Sequence, residues 1–318
     1  MKKNTVRKCA NYVSVCLIVY TLLRYLIFAV EPLCRKFYVQ IQESDLTARQ
    51  QLLETLEANA YHSGVSSIVI VILGVLLLLF LFRKTVPPSR LFHKEKKLAA
   101  RRFPFLLCVF MSGQLIFSLF GNGIEALLNL CGYTAMGQLT AASSQSTTLS
   151  MFLYSAFFAP VAEELIYRGF VLRSFQKYGK VFAILLSATL FSIMHGNLFQ
   201  MIFAFLVGIV LGYTALEYSI RWSILLHIIN NFVFGELLGW LFSEVSPMVQ
   251  DYLYRGINIA FFAVGSFFLL KHREAVLAYL RGNRTEKKCY RDAFTAIGMI
   301  VFLGTNLVLA FSGIHKLS

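Results

Sequence analysis

Nine stretches of this chain are apolar over about the length that a bilayer crossing needs. They lie near residues 11–30, 66–82, 103–123, 149–172, 181–196, 198–217, 222–242, 253–270 and 293–313. A hydrocarbon core about 30 Å thick takes roughly 17–25 helical residues. Inside it every backbone N–H and C=O must be satisfied by the protein, which leaves only helices or closed barrels. Continuous apolar runs of this length, rather than short alternating ones, predict helices. The expected fold is all-α: a polytopic transmembrane helical bundle of about 8–9 spans, with 181–196 the shortest candidate. Composition agrees, since only 14% of the 318 residues are charged, against about 25% in soluble domains. Mean hydropathy is +0.65.

The net charge of +14 would suit nucleic acid if it were clustered on a soluble surface. It is not. The basic residues collect in MKKNTVRK, in 83–102 (RKTVPPSRLFHKEKKLAARR), in 173–180 (RSFQKYGK) and in 271–292. Short basic loops between apolar runs follow the positive-inside rule, so these segments and the N-terminus are expected in the cytoplasm of a multi-pass cell-membrane protein. The partner implied is the lipid bilayer, and no nucleic acid. The intervening 31–65, 121–148 and 243–252 are acidic or neutral and read as outer segments. Within 31–65, ESDLTARQQLLETLEANA has the pattern of an amphipathic helix, expected to be a small cap or lid. MKKNTVRK ahead of an apolar run resembles a signal peptide. LIFAVEPL offers no small-x-small cleavage site, so the segment is expected to stay as an anchor. The six cysteines show no metal-type spacing and read as packing residues, with a Cys34–Cys131 bridge as the one outer-face alternative.

Ionisable side chains deep in the expected spans are few: Glu163, Glu164, Arg168, His195 and His227, with Arg24 nearer a membrane face. Such residues are costly in hydrocarbon and point to function. Glu164 and Arg168 are four apart and can pair on one helical face. Glu163 is turned about 100° away, a carboxylate left free to act as a base beside a structural ion pair. In FSIMH, Phe191 and His195 share a face, and Gly196-Asn197 is expected to break the helix just after the histidine. In HIINN, His227 and Asn231 are four apart, a donor pair suited to an oxyanion, while Asn230 points about 100° away. GIVLG places Gly208 and Gly212 for close helix packing. A base, a water-orienting imidazole and a donor pair together suit addition of water to a carbonyl.

The alternatives are a buried structural ion pair with interhelical hydrogen bonds, or a Glu163/His195/His227 zinc set with one open position. No HExxH occurs in the chain, and no cofactor is favoured, with zinc as the alternative. Two-aspartate chemistry is excluded because Asp45, Asp251 and Asp292 all lie outside the span interiors. A serine nucleophile lacks a GxSxG motif in any span, and a repeat-built transporter lacks an internal repeat.

EELIYR, FSIMH and HIINN, in that order on successive spans, resemble the EExxxR, FxxxH and HxxxN motifs of a known family. This is the CAAX prenyl protease/bacteriocin-processing (CPBP, Abi, Rce1-like) family of intramembrane proteases. The resemblance covers roughly 149–242. It implies that Glu163 activates water, that His195 helps to hold it, and that His227 and Asn231 form the oxyanion site. Glu164 and Arg168 would support Glu163. It implies an intramembrane endopeptidase acting on a membrane-associated or lipid-linked peptide or protein. The basic N-terminus and compact length look bacterial, so the setting implied is bacteriocin processing or self-immunity. The competing reading is a non-catalytic immunity or regulatory protein that binds a bacteriocin or a sensor partner. The expected organisation is an N-terminal transmembrane region over 1–148, a four-helix catalytic core over 149–242 and C-terminal helices over 243–318. Counted at 1.5 Å per residue from the basic loops, Glu163 lies about 15 Å deep, His227 about 9 Å and His195 about 22 Å. Bringing them together predicts a tilted or re-entrant 181–196 segment.

Overall fold

The computed structural model describes residues 5–93, 96–143 and 145–317. Nearly all of them are helical. Among them, seven helices are long and apolar enough to cross a membrane. These are α1 (Thr5–Gln42), α3 (Val65–Phe82), α4 (Ala100–Leu130), α5 (Leu149–Tyr178), α7 (Leu198–Glu217), α8 (Ile220–Leu241) and α9 (Pro247–Lys271). Between α1 and α3 lies α2 (Leu46–His62), and between α5 and α7 the shorter apolar α6 (Lys180–Ile193). After α9 come α10 (Arg273–Gly282), α11 (Lys287–Phe294) and α12 (Ile297–Ser312). The last two are bent by 68° and make an eighth candidate span if taken together. A two-residue antiparallel pairing of Tyr133–Thr134 with His315–Lys316 is the one sheet among the described residues. The chain is thus an all-α, multi-pass membrane bundle. The nine apolar runs correspond to seven spans, the bent pair and α6.

Two elements differ from the expectation in length. The first run was bounded at residue 30 by hydropathy, yet α1 continues to Gln42. Glu31, Arg35 and Lys36 end the apolar window but not the helix, and Glu31 and Arg35 pair at 3.6 Å one turn apart. α2 begins with the Asp45 carboxylate accepting from Ala48 N at 2.9 Å, an N-cap. Among its described side chains none is buried. Its end is tied to the start of α5, where Thr148 Oγ1 donates to His62 O at 2.6 Å. Cys34 and Cys131 are both free and exposed, so they form no bridge.

The core lies where α5, α6 and α7 meet α1 and α3. Phe82 of α3 stacks on Phe170 of α5 with ring centroids 5.1 Å apart, and both are buried. α6 and α7 pack along their lengths because Gly208 presents no side chain to Ala188. A Cβ there would sit 3.2 Å from Ala188 and from Arg168 Nη2. α4 pairs with α9 on one flank through stacked Phe105 and Phe268, 4.4 Å apart. It reaches α7 on its other side, with Phe117 edge-on to Phe203 at 5.8 Å.

Two of the site-bearing helices are not uniform. α5 widens into π-helical turns at Tyr154–Phe158 and Leu165–Val171, and α8 at Asn230–Leu237. In α5 the first has an evident cause. Pro160 has no N–H to donate and its ring crowds the carbonyl four residues back, at Ala156. Such bulges recur at functional sites because they re-aim side chains.

Candidate active site

α5 carries the two glutamates, and the structure treats them differently. Arg168 Nη1 donates to Glu164 Oε1 at 2.9 Å, with both side chains fully buried. The guanidinium is further fixed by Nη2 donating to Gly208 O at 3.3 Å and by lying 4.2 Å over the Phe191 ring. Glu163, one residue earlier, keeps 20% of its side chain exposed. Its nearest charged neighbour is the imidazole of His227, whose Nε2 lies 3.7 Å from Glu163 Oε2.

His227, on α8, also reaches the other carboxylate: its Nδ1 is 3.0 Å from Glu164 Oε1. Arg168, Glu164, His227 and Glu163 therefore stand in series. The first two contacts are hydrogen bonds. The third is too long for one and leaves room for a bridging molecule. Helical spacing pairs Glu164 with Arg168 but carries no sign that Glu164 also orients His227.

His195 lies just beyond the end of α6. Gly196 adopts a left-handed conformation, φ +58°, and Asn197 caps α7, its Oδ1 accepting from Phe199 N at 3.0 Å and Gln200 N at 3.1 Å. The break falls where the sequence places it. His195 Nδ1 lies 2.9 Å from Phe191 O. A carbonyl only accepts, so Nδ1 carries the proton and Nε2 presents a lone pair. The Phe191 ring touches both histidines edge-on, with centroids 4.9 Å from His195 and 5.8 Å from His227. The FxxxH phenylalanine is thus the spacer between Arg168 and the two imidazoles.

Asn231 makes its hydrogen bonds outside this series. Its Nδ2 donates to Ser155 O on α5 at 2.9 Å, and its Oδ1 accepts from Asn230 Nδ2 at 2.9 Å. Asn230 Oδ1 in turn accepts from Gln114 Nε2 of α4 at 2.8 Å. The two asparagines were expected to diverge by about 100°; in the widened turn that begins at Asn230 their amides bond to each other.

Two further carboxylates lie within the spans. Glu236 of α8 accepts from Ser155 Oγ at 2.7 Å, from Ser146 Oγ, and from Ser146 N at 3.1 Å. Glu125 of α4 is buried and accepts from Ala135 N at 2.9 Å and from Thr134 Oγ1. Both lie near span ends, where hydropathy alone does not distinguish a buried carboxylate from a loop one.

A cleft of ≈ 430 Å³ opens between α3 and α5. Its walls are apolar: Val71, Ile72, Val75 and Leu76 on one side, Phe157, Phe158, Val161, Ala162 and Leu165 on the other. Among the described residues no three His, Cys, Asp or Glu side chains group closely enough to hold a metal ion. Among the described residues Glu163, His195 and His227 do not form such a group.

The residues from 145 to 233, from just before α5 into α8, match the family model described as type II CAAX prenyl endopeptidase Rce1-like. This segment is similar to an Rce1-like domain. All seven residues of the three motifs fall inside it, and the family is one of CAAX-type intramembrane proteases. No curated protein and no solved structure matches the chain. The matched segment is embedded in a larger bundle, and α1, α3 and α4 complete the walls around its polar centre.

Proposed function

We propose that the chain is an intramembrane endopeptidase that hydrolyses a peptide bond of a membrane-associated or lipid-linked peptide, using water activated by Glu163. The observation that carries this reading is the contrast between adjacent carboxylates. Glu164 is sealed and bonded to Arg168 and His227, whereas Glu163 is partly open and has no cation in hydrogen-bond contact among the described residues. A general base must keep a lone pair available, and Glu163 does.

In this reading a water molecule lies between the Glu163 carboxylate and the lone pair of His195 Nε2. Glu163 takes one proton from it as the oxygen attacks the scissile carbonyl carbon. The oxyanion that forms accepts from His227 Nε2–H, in the imidazolium form with Glu164 as counter-charge on Nδ1. It also accepts from the second N–H of the Asn231 amide, the first being held by Ser155 O. Glu163 then returns the proton to the leaving nitrogen as the C–N bond breaks, giving a carboxylic acid and an amine, between which the remaining acidic proton then passes to leave a carboxylate and an ammonium. The apolar α3–α5 cleft suits the hydrocarbon part of the substrate. No metal is required by these steps. Activity that survives 1,10-phenanthroline and EDTA would support this, and loss restored by zinc would refute it.

The test is neo-terminus profiling of membranes from cells making the wild-type chain or Glu163→Ala. Peptide termini that appear only with the wild type support the enzyme. Identical profiles would sink it, and bacteriocin protection retained by the variant would then favour the binding reading.

Glu236 adds a prediction. It grips Ser155 and Ser146, and the Ser155 carbonyl holds Asn231. Glu236→Ala frees that corner, and displacements near 1 Å can cost about 100-fold in rate. Expected is a 10- to 100-fold fall in kcat at unchanged KM, measured on a substrate identified by the profiling.

A further inference from the structure

Gln114 of α4 lies outside residues 145–233, yet an unbroken run of side-chain amides joins it to the motif asparagine. Its Nε2 donates to Asn230 Oδ1 at 2.8 Å, and Asn230 Nδ2 donates to Asn231 Oδ1 at 2.9 Å. Asn231 Nδ2 then donates to Ser155 O at 2.9 Å. The direction of the run is set at its far end. A backbone carbonyl only accepts, so Asn231 must turn its amide nitrogen to Ser155 and its oxygen to Asn230. Asn230 must then offer its nitrogen to Asn231, which leaves its oxygen for position 114. Only a donor at position 114 completes the run.

α4 is held tightly where it carries this donor. Gly113, the residue before it, approaches α7 so closely that a Cβ there would lie 3.0 Å from Val207 Cγ1. On the other flank Ser112 Oγ donates to Phe261 O of α9 at 3.2 Å, and a Cβ on Gly265 would lie 2.8 Å from Cys108 O. Ser112 and Gly113 are both buried. The backbone beneath Gln114 is thus pinned between α7 and α9. A neutral donor suits the place, since α4 carries no charged residue from 103 to 124 and a charge inside a span is costly.

We propose that Gln114 is a positioning residue for hydrolysis: through Asn230 it holds the Asn231 amide so that its second N–H is aimed at the oxyanion. The terminal torsion of an asparagine is broad. Bonded at both Ser155 and Asn230, the Asn231 amide keeps one setting, and its remaining N–H is fixed with it. A fixed donor stabilises a developing oxyanion because nothing has to reorient as charge builds. This assignment rests on the hydrolytic reading above and adds a residue of α4 that acts through Asn231.

The experiment measures kcat and KM on a substrate whose cleavage is lost in Glu163→Gln, with a thermal unfolding curve in detergent for each variant. Gln114→Met keeps the length of the side chain without a donor, and Gln114→His keeps a donor at Nε2. Removing an oxyanion donor outright costs about 10²–10³-fold, so misaiming one through Gln114→Met is expected to lower kcat about tenfold at unchanged KM. Gln114→His should recover most of that loss. A role in packing alone ranks the two the other way, because an apolar replacement of similar size is the better tolerated in a core. Gln114→Met combined with Asn230→Leu should fall no further than Asn230→Leu alone, since both break one run. Four results would each overturn the relay and leave the Glu163 chemistry standing: wild-type kcat in Gln114→Met, Gln114→His no better than Gln114→Met, a change confined to KM, or additive losses in the double variant. If no cleavage depends on Glu163, both readings fall.

Discussion

Glu163→Gln should reduce turnover of an identified substrate by about 10²–10⁴-fold, the usual contribution of a positioned base, with little change in stability. The amide keeps the shape of the side chain but takes up no proton from water. The side chain is partly open, and among the described residues its one ion-pair contact is with the imidazole 3.7 Å away. Removing its charge therefore leaves no buried partner stranded. Single-turnover cleavage in detergent, read beside a thermal unfolding curve, separates the two effects. A variant that cuts within tenfold of wild type would remove Glu163 from the chemistry.

The second large effect falls on the adjacent pair. Arg168→Met leaves Glu164 at the centre of the bundle without its cation, and stranding a buried charge costs about 3–5 kcal/mol. The methionine also gives up the bond to Gly208 O and the contact over Phe191. Denaturant unfolding in micelles should show a loss of that size. Glu164→Gln combined with Arg168→Met should recover part of it, because no charge is then left alone. Recovery of stability without recovery of cleavage is expected, since His227 loses the carboxylate that orients its Nδ1. If Arg168→Met unfolds like wild type, the pair contributes nothing to stability, and the structural role given to it is wrong.

Much of this architecture was readable in the sequence, and the reasons divide by range. Span positions follow from hydropathy, which is a local property, so each of the nine runs reappears as a helix. The pairing of Glu164 with Arg168 and the break at Gly196-Asn197 are likewise local, set by helical spacing and by backbone preference. What was not legible depends on contacts between distant segments. Nothing near Glu164 signals His227, 63 residues away, and nothing in HIINN signals that Asn231 turns to Ser155. The π-helical turns also upset reckoning by 100° per residue, which is why Asn230 and Asn231 meet rather than diverge. Glu236 escaped notice because it sits near a span end, where a charge has no evident cost.

α6 has one further consequence. Its 14 residues rise only about 21 Å, well short of a hydrocarbon layer about 30 Å thick. The chain turns back at Gly196 before that layer is crossed, so the wall is low beside His195. Lipid must thin to meet it, or water must fill the step. Bilayer thickness is therefore expected to control how readily water reaches the histidine. Reconstitution in short-chain lipid should favour hydration there, and thick, ordered membranes should starve it.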